Sequence, residues 1–197
     1  MGLMLGKISV ETPKYEILAA TDDYEIRQYP PAVIAEVTYD PADWNSDKDA
    51  GFKLLTDYIG AFGKPKNQKP ESIAMTAPVL TKAAQGESIA MTAPVVTKRG
   101  GDLVTMAFIL PSRYEKAEDA PVPVDERVAI REEGAKKYAA VRFSGVASER
   151  VVAAKVEKLK IDLLRDGYVI AGDFVLARYN PPFTLPPLRT NEVMIPV

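Results

Sequence analysis

Residues 128–167 read VAIREEGAKKYAAVRFSGVASERVVAAKVEKLKIDLLRDG, and their pattern sets the class of fold. Two β-rich segments flank the turn Glu133–Gly134; the predicted strands are Val128–Glu132 and Lys137–Phe143. A helical period follows, with Ser148 as a typical N-cap and Gly167 as a typical C-terminal stop. Its apolar stripe consists of Val152, Val156, Leu159 and Leu163. Strand, turn, strand and helix in this order predict one α+β half.

The first half of the chain repeats this order. Its predicted strands are Tyr15–Ala20, Tyr24–Tyr29 and Ala32–Tyr39, the last two as a hairpin-like pair, and a helix follows from Ser46 or Asp47 to Gly60. Two later strands are predicted at Asp173–Tyr179 and Glu192–Ile195. An offset of 104 residues superposes Ile26 on Ile130 and Ala35 on Ala139. Either this is chance agreement between common β-residues, or two related halves join their strands in one sheet or distorted barrel.

A second repeat is exact. Glu71–Val79 and Glu87–Val95 both read ESIAMTAPV, at a period of 16 residues. This period is far below that of solenoid repeats, and two copies cannot build an array. We expect two extended segments joined by a turn, which form a duplicated hairpin arm over residues 71–98 that elongates a sheet edge.

Composition restricts the partners of the chain. The 197 residues are 47% hydrophobic and 26% charged with a formal charge of −2, as in a folded, soluble, single-domain protein. No basic field is available for nucleic acid or anionic lipid. The first residues do not form a signal peptide, and no apolar run is long enough to span a membrane. We therefore expect a cytoplasmic monomer that binds neither nucleic acid nor membranes.

The chain has no histidine and no cysteine. This excludes Ser-His-Asp and Cys-His catalysis, zinc sites built from these residues, iron–sulfur clusters and disulfides. The remaining acid pairs, such as Asp125–Glu126 and Glu132–Glu133, are adjacent in sequence, so on strands they point to opposite faces and form no ready acid/base pair. We expect no catalytic activity.

Several motifs together identify a family. They are YEIRQYPP at residues 24–31, the doubled IAMTAPV, VTMAFILP at 104–111 and RYNPPFTLPPLRTNEVMIPV at 178–197. The chain resembles the SOUL haem-binding protein family over nearly its whole length, and is most similar to the plant-type cytosolic members. The resemblance implies an α+β fold: a distorted β-barrel of two pseudo-symmetric βαβ-like halves, about 14–111 and 124–197, flanked by two long helices.

The resemblance also implies a function, the reversible binding of haem or its metal-free precursors in an apolar surface groove, with haem donor or acceptor proteins as possible partners. The groove would lie between the first helix and a loop near the C-terminus. The matching residues are Phe52, Leu55, Tyr58 and Ile59 on the helix and Tyr179, Pro181, Pro182 and Phe183 in the loop. An amphipathic stripe is more often core, so only some of the helix residues would face a groove.

The groove departs from the family pattern where the two propionates of haem would bind. Relatives have an Arg and a Lys at places that match Asp49 and Thr184 here. Neighbouring cations that could substitute are Lys48, Lys53, Arg178 and Arg189, or these side chains are simply solvated. We predict Lys48, Lys53 and Arg178 as members of the site.

Ligation of haem iron is limited by composition. Without His or Cys, the candidate ligands are Met75, Met91, Met106, Met194, Tyr58 and Tyr179, for which core packing is the commoner role. Burial of roughly 300 Å² of apolar surface is worth on the order of 7 kcal/mol, part of which association entropy offsets. Micromolar binding is therefore expected without a metal ligand. The competing functions are a protein-interaction or small-ligand effector-binding module, and a haem-processing enzyme.

Overall fold

One antiparallel sheet of nine strands carries the fold, in a computed structural model that describes residues 8, 10–40, 50–83, 103–180 and 183–197. The strands are β1 (Glu16–Ala20), β2 (Glu25–Tyr29), β3 (Ala32–Tyr39), β4 (Val79–Ala83), β5 (Val104–Ile109), β6 (Val128–Glu133), β7 (Lys136–Ser144), β8 (Val175–Arg178) and β9 (Thr190–Pro196). The helices are α1 (Ala50–Ile59) and α2 (Glu149–Arg165). This α+β architecture, with a curled sheet and two flanking helices, confirms the predicted fold class.

The strand order shows how the two halves combine. The sheet runs β1-β2-β7-β9-β8-β4-β5-β3-β6, so that, apart from β1, each strand of one half is mirrored by its counterpart in the other. The centre of this pattern is the pairing of β4 with β8. The strands of the two predicted halves therefore join in one sheet.

The predicted hairpin-like pair of β2 and β3 is wrong. Strand β2 pairs with β1 and β7, and β3 pairs with β5 and β6. Pro30 and Pro31 separate the two strands, and a proline has no N–H with which to close a tight hairpin. Each strand instead pairs across the halves.

Both helices lie on the same face of the sheet. Leu55 of α1 packs with Val37 of β3 in one apolar cluster, and Leu159 of α2 packs with Val193 of β9 in another; all four side chains are buried. Thr81 of β4 and Leu176 of β8 are register partners that join these two regions on one face. We call this the outer face and the opposite one the inner face. Within the described ranges no helix is long and apolar enough to cross a membrane.

The helix termini follow from local sequence. The Ser148 hydroxyl accepts a hydrogen bond from the backbone N–H of Val151, which caps α2. Gly167 and Gly60 stand just beyond α2 and α1 with φ of 80° and 75°, a conformation that favours glycine.

A buried ion pair lies on the inner face. The Arg27 Nη1 atom of β2 donates to Glu192 Oε2 of β9 at 2.9 Å, and both residues are only 3% exposed. Arg27 also donates to Glu25 at 2.7 Å and stacks on the Tyr15 ring at 4.3 Å. The pair links strands that are separated by 165 residues in sequence.

The first ESIAMTAPV copy is an ordered part of the core. Ile73 is buried, and its N–H donates to the carbonyl of Ile59 at 3.0 Å. The Thr76 hydroxyl donates to the carbonyl of Ile109. The strand that follows, β4, lies in the middle of the sheet between β8 and β5. The second copy lies outside the described residues.

Deletion of residues 71–86 should leave the fold intact. Residues 87–98 would then supply the same side chains in the same order, with valine in place of Leu80. The connection from β4 to β5 would shorten to four residues, a common hairpin length. A buried methylene is worth about 1 kcal/mol, so we expect a change in Tm of less than about 5 °C, measured by circular dichroism.

Deletion of residues 87–102 is the matched control, because it shortens the same connection and keeps Leu80. Aggregation of the first deletion variant but not of the control would show that the two copies are not equivalent.

Replacement of Glu192 by Gln should destabilise the protein by about 3 kcal/mol, since it leaves the buried Arg27 charge with a weaker partner. The readout is the midpoint of urea unfolding. The double variant Arg27→Met with Glu192→Met should be more stable than Glu192→Gln alone. If the loss of unfolding free energy in the double variant equals the sum of the losses in the two single variants, this view of the ion pair is wrong.

Candidate functional site

A cavity of about 460 Å³ opens on the inner face of the sheet. This volume is within the ~300–1,000 Å³ typical of small-molecule sites. Its walls are mostly apolar and aromatic: Tyr29, Pro30, Pro31, Ala32, Val33, Pro78, Leu80, Ile109, Leu110, Tyr114, Tyr138, Tyr179 and Met194. The inner face therefore provides an apolar space that the two helices leave uncovered.

Three tyrosines at the cavity come from three separate parts of the sheet. Tyr29 ends β2, Tyr138 lies on β7 and Tyr179 follows β8. The rings of Tyr29 and Tyr138 meet edge to face with centroids 5.9 Å apart. Such rings offer flat apolar surface to a planar ligand.

The buried ion pair holds two of these tyrosines in place. The Tyr179 hydroxyl donates to Glu192 Oε2 at 2.7 Å, and the Tyr29 hydroxyl accepts from Arg27 at 3.3 Å. Tyr29 also donates to the Met194 sulfur at 3.8 Å. Arg27 and Glu192 are paired with each other, so neither presents an unpaired charge to these tyrosines.

Burial keeps the phenols neutral. Burial raises the pKa of Tyr29 to about 12. Burial also raises the pKa of Tyr179 well above the usual range, and the adjacent Glu192 carboxylate adds to the effect. A phenolate, the form of tyrosine that binds iron, is therefore disfavoured at neutral pH.

Charged side chains lie at the rim of the cavity instead. Lys14, Lys136, Glu11, Glu115 and Glu133 border it. The Lys136 ammonium donates to Glu133 at 2.6 Å. Partial burial disfavours the charge on Lys136, but the hydrogen bond with Glu133 raises its pKa above the usual value. The rim thus offers two cations, Lys14 and Lys136, and three carboxylates, one of which is paired with Lys136.

The residues predicted on the first helix are mostly core. Leu55, Tyr58 and Ile59 are at most 1% exposed, and the Tyr58 hydroxyl donates to the carbonyl of Pro121 at 2.8 Å. Phe52 is half-buried against Phe108, with ring centroids 5.6 Å apart, and Lys53 is exposed. Three of the four predicted apolar residues therefore present no open surface.

The structure brings a few of the other predicted residues together. Arg178 lies on the outer face beside Val79, whose β5 partner Phe108 contacts Phe52. Arg178 also donates to the Thr81 hydroxyl at 3.3 Å. Tyr179 instead lines the inner-face cavity. Phe183 is 57% exposed, and Lys48, Pro181 and Pro182 lie outside the described residues.

The remaining propionate and iron candidates have varied positions. Thr184 is buried, and its carbonyl accepts from Arg189 at 2.8 Å. Met106 and Met75 pack in the α1 core, whereas Met194 lines the cavity. Asp49 and Met91 lie outside the described residues.

Sequence reasoning missed most of the cavity wall. Tyr29 and Pro30–Pro31 belong to the YEIRQYPP motif, which was used to identify the family but not to locate a site. Alternation along β7 places Tyr138 on the same face as Ala140, a signal that was available. No pattern of neighbouring residues indicated that this face of β7 lies beside Tyr29 and Leu80.

Solved structures show that the fold occurs elsewhere. The crystal structure of the EcmrR C-terminal domain matches with a TM-score of 0.58 at 10% identity, over 92% of this chain and 96% of that chain. A hydrolase from Listeria innocua matches with a TM-score of 0.52 at 14% identity, over 91% and 93%. At such identities the likeness concerns the fold alone.

Sequence relatives are more informative. Heme-binding protein 2 of Homo sapiens is 29% identical over 195 residues, 95% of this chain and 86% of that protein. The Mus musculus protein of the same name is 30% identical, over 87% and 77%. Heme-binding protein 1 of Xenopus tropicalis is 28% identical, over 95% and 88%. The model of the SOUL heme-binding protein family matches residues 10–87 and 82–196, and this chain is therefore a member of that family.

Proposed function

We propose that this protein binds haem and related tetrapyrroles reversibly, as a non-catalytic carrier or buffer, and that the inner-face cavity holds them. Membership of the SOUL heme-binding protein family supports the ligand class. The observation that carries the location is the cavity itself, which combines about 460 Å³ of mostly apolar space with lysines at its rim.

The chemistry of a tetrapyrrole matches these walls. Its flat macrocycle would lie against Tyr29, Tyr138 and Leu80, and its propionates would face Lys14 and Lys136 at the rim. Burial of roughly 300 Å² of apolar surface is worth on the order of 7 kcal/mol, so this contribution limits the affinity to the micromolar range before association entropy is subtracted. Such binding is strong enough to hold a ligand and weak enough to release it.

Iron makes a small contribution to this binding. The chain has no His or Cys, and the Tyr179 hydroxyl is engaged with Glu192. Of the iron ligands predicted from sequence, Met194 is the other one that lines the cavity, and a thioether is a weak donor. Recognition therefore depends on the shape and the acidic ends of the macrocycle.

Metal-free protoporphyrin should bind within about tenfold of haem, a difference of at most about 1.4 kcal/mol. The measurement is a titration of each ligand, followed by the Soret band. A haem affinity a hundredfold higher, with a six-coordinate spectrum, would show that iron ligation dominates.

A side chain that fills the cavity should weaken binding. Ala32→Phe places a ring in the cavity and should raise the Kd for protoporphyrin about tenfold, because the macrocycle loses contact area. Ala129→Phe is the matched control, since Ala129 pairs with Glu36 on the same inner face but does not line the cavity.

The location predicted from the resemblance, between α1 and residues 178–183, has its own test. Lys53→Gln removes an exposed cation from α1 and should leave the Kd unchanged if the cavity is the site. A loss of affinity in Lys53→Gln together with unchanged binding in Ala32→Phe would place the ligand beside α1 instead.

The absence of catalysis is tested with haem and a reductant. A carrier leaves the Soret band intact apart from the change on binding. Loss of the band, or release of iron, beyond one equivalent would identify a haem-processing enzyme.

A further inference from the structure

Glu133 occupies an unusual position at the edge of the cavity. It is the last residue of β6, one of the two edge strands of the described sheet, and its side chain is 21% exposed. One carboxylate oxygen, Oε1, lies 2.6 Å from the Lys136 ammonium of β7 and 3.7 Å from the Lys82 ammonium of β4. A single oxygen thus faces two cations from two different strands.

These three side chains separate two spaces on the inner face. Glu133 and Lys136 line the cavity described above. Lys136 and Lys82 line a second, more polar space of about 800 Å³ on the other side. A carboxylate between the two lysines therefore stands where the apolar space ends and the polar space begins.

We infer that Glu133 is a specificity-determining residue, an inference that rests on the proposed function. Its carboxylate occupies the position between Lys136 and Lys82 at which a carboxylate of the ligand binds. The ligand class is a flat apolar molecule that carries at least one carboxylate at its edge. The two lysines supply the recognition, and Glu133 competes for them.

The physical argument concerns charge balance. In the free protein Glu133 neutralises Lys136 at hydrogen-bond distance. A ligand carboxylate that approaches Lys136 must displace the Glu133 carboxylate or lie beside it, and like charges at such distances repel. Glu133 therefore lowers the affinity for acidic ligands and leaves neutral ligands of the same shape unaffected.

Glu133→Gln provides the test, because glutamine keeps the size of the side chain and removes the charge. We expect the Kd for protoporphyrin, a diacid, to fall about threefold to fivefold, the scale of a partly exposed ion pair. The Kd for protoporphyrin dimethyl ester, the neutral analogue, should change less than about twofold. Both ligands are measured by fluorescence titration at one ionic strength.

Two further variants make the test specific. Lys136→Met should weaken binding of the diacid and not of the ester, and Lys82→Met should do the same to a smaller degree because its distance to Glu133 is longer. Glu126→Gln is the control for net charge, since Glu126 is exposed and does not line the cavity.

The outcomes separate this inference from the proposed function. If wild-type protein binds both ligands but Glu133→Gln shifts them equally or shifts neither, the inference is wrong and tetrapyrrole binding stands. If Glu126→Gln tightens diacid binding as much as Glu133→Gln does, the net charge of the protein explains the change and the inference is wrong. If wild-type protein binds neither ligand, the proposed function fails, and the inference fails with it.

Discussion

The pairing of β4 with β8 joins the two halves of the sheet, and the rest of the architecture is arranged around it. Both helices of the described residues pack on the outer face, so neither of them covers the inner face. A curled sheet encloses space on its concave side, and here that space remains as a cavity of about 460 Å³. The described helices thus bury one face of this joined sheet, and the cavity lies on the other.

The inner face carries buried charged side chains, yet the walls of its cavity are mostly apolar. Arg27 and Glu192 are buried together, and each engages the hydroxyl of a cavity tyrosine. Their charges cancel, and the phenols that they hold stay protonated because burial raises their pKa. Charged side chains lie at the rim as well, among them Lys136 and Glu133. The cavity thus combines apolar walls with a rim that carries charges of both signs.

Local elements were predictable, whereas their pairing was not. Strand β3 matches its predicted bounds, and α2 is capped by Ser148 as expected, since both depend on neighbours within a few residues. The hairpin-like pairing of β2 with β3 failed because β2 pairs instead with β1, the strand before it, and with β7, more than 100 residues away. The same limit applies to the candidate site. Tyr58 and Leu55 fit an amphipathic stripe, but the stripe alone could not show that it is covered by β3 and β5.

The sequence by itself determined the absence of imidazole and thiolate, the family, the repeated ESIAMTAPV segment and the order of the elements, because these are properties of residue types and of near neighbours. Only the tertiary structure decided that Tyr29, Tyr138 and Tyr179 meet in one cavity, and that Glu133 stands between Lys82 and Lys136. Those contacts join strands distant in the chain. Their formation depends on how the whole sheet pairs and curls, which no local pattern records.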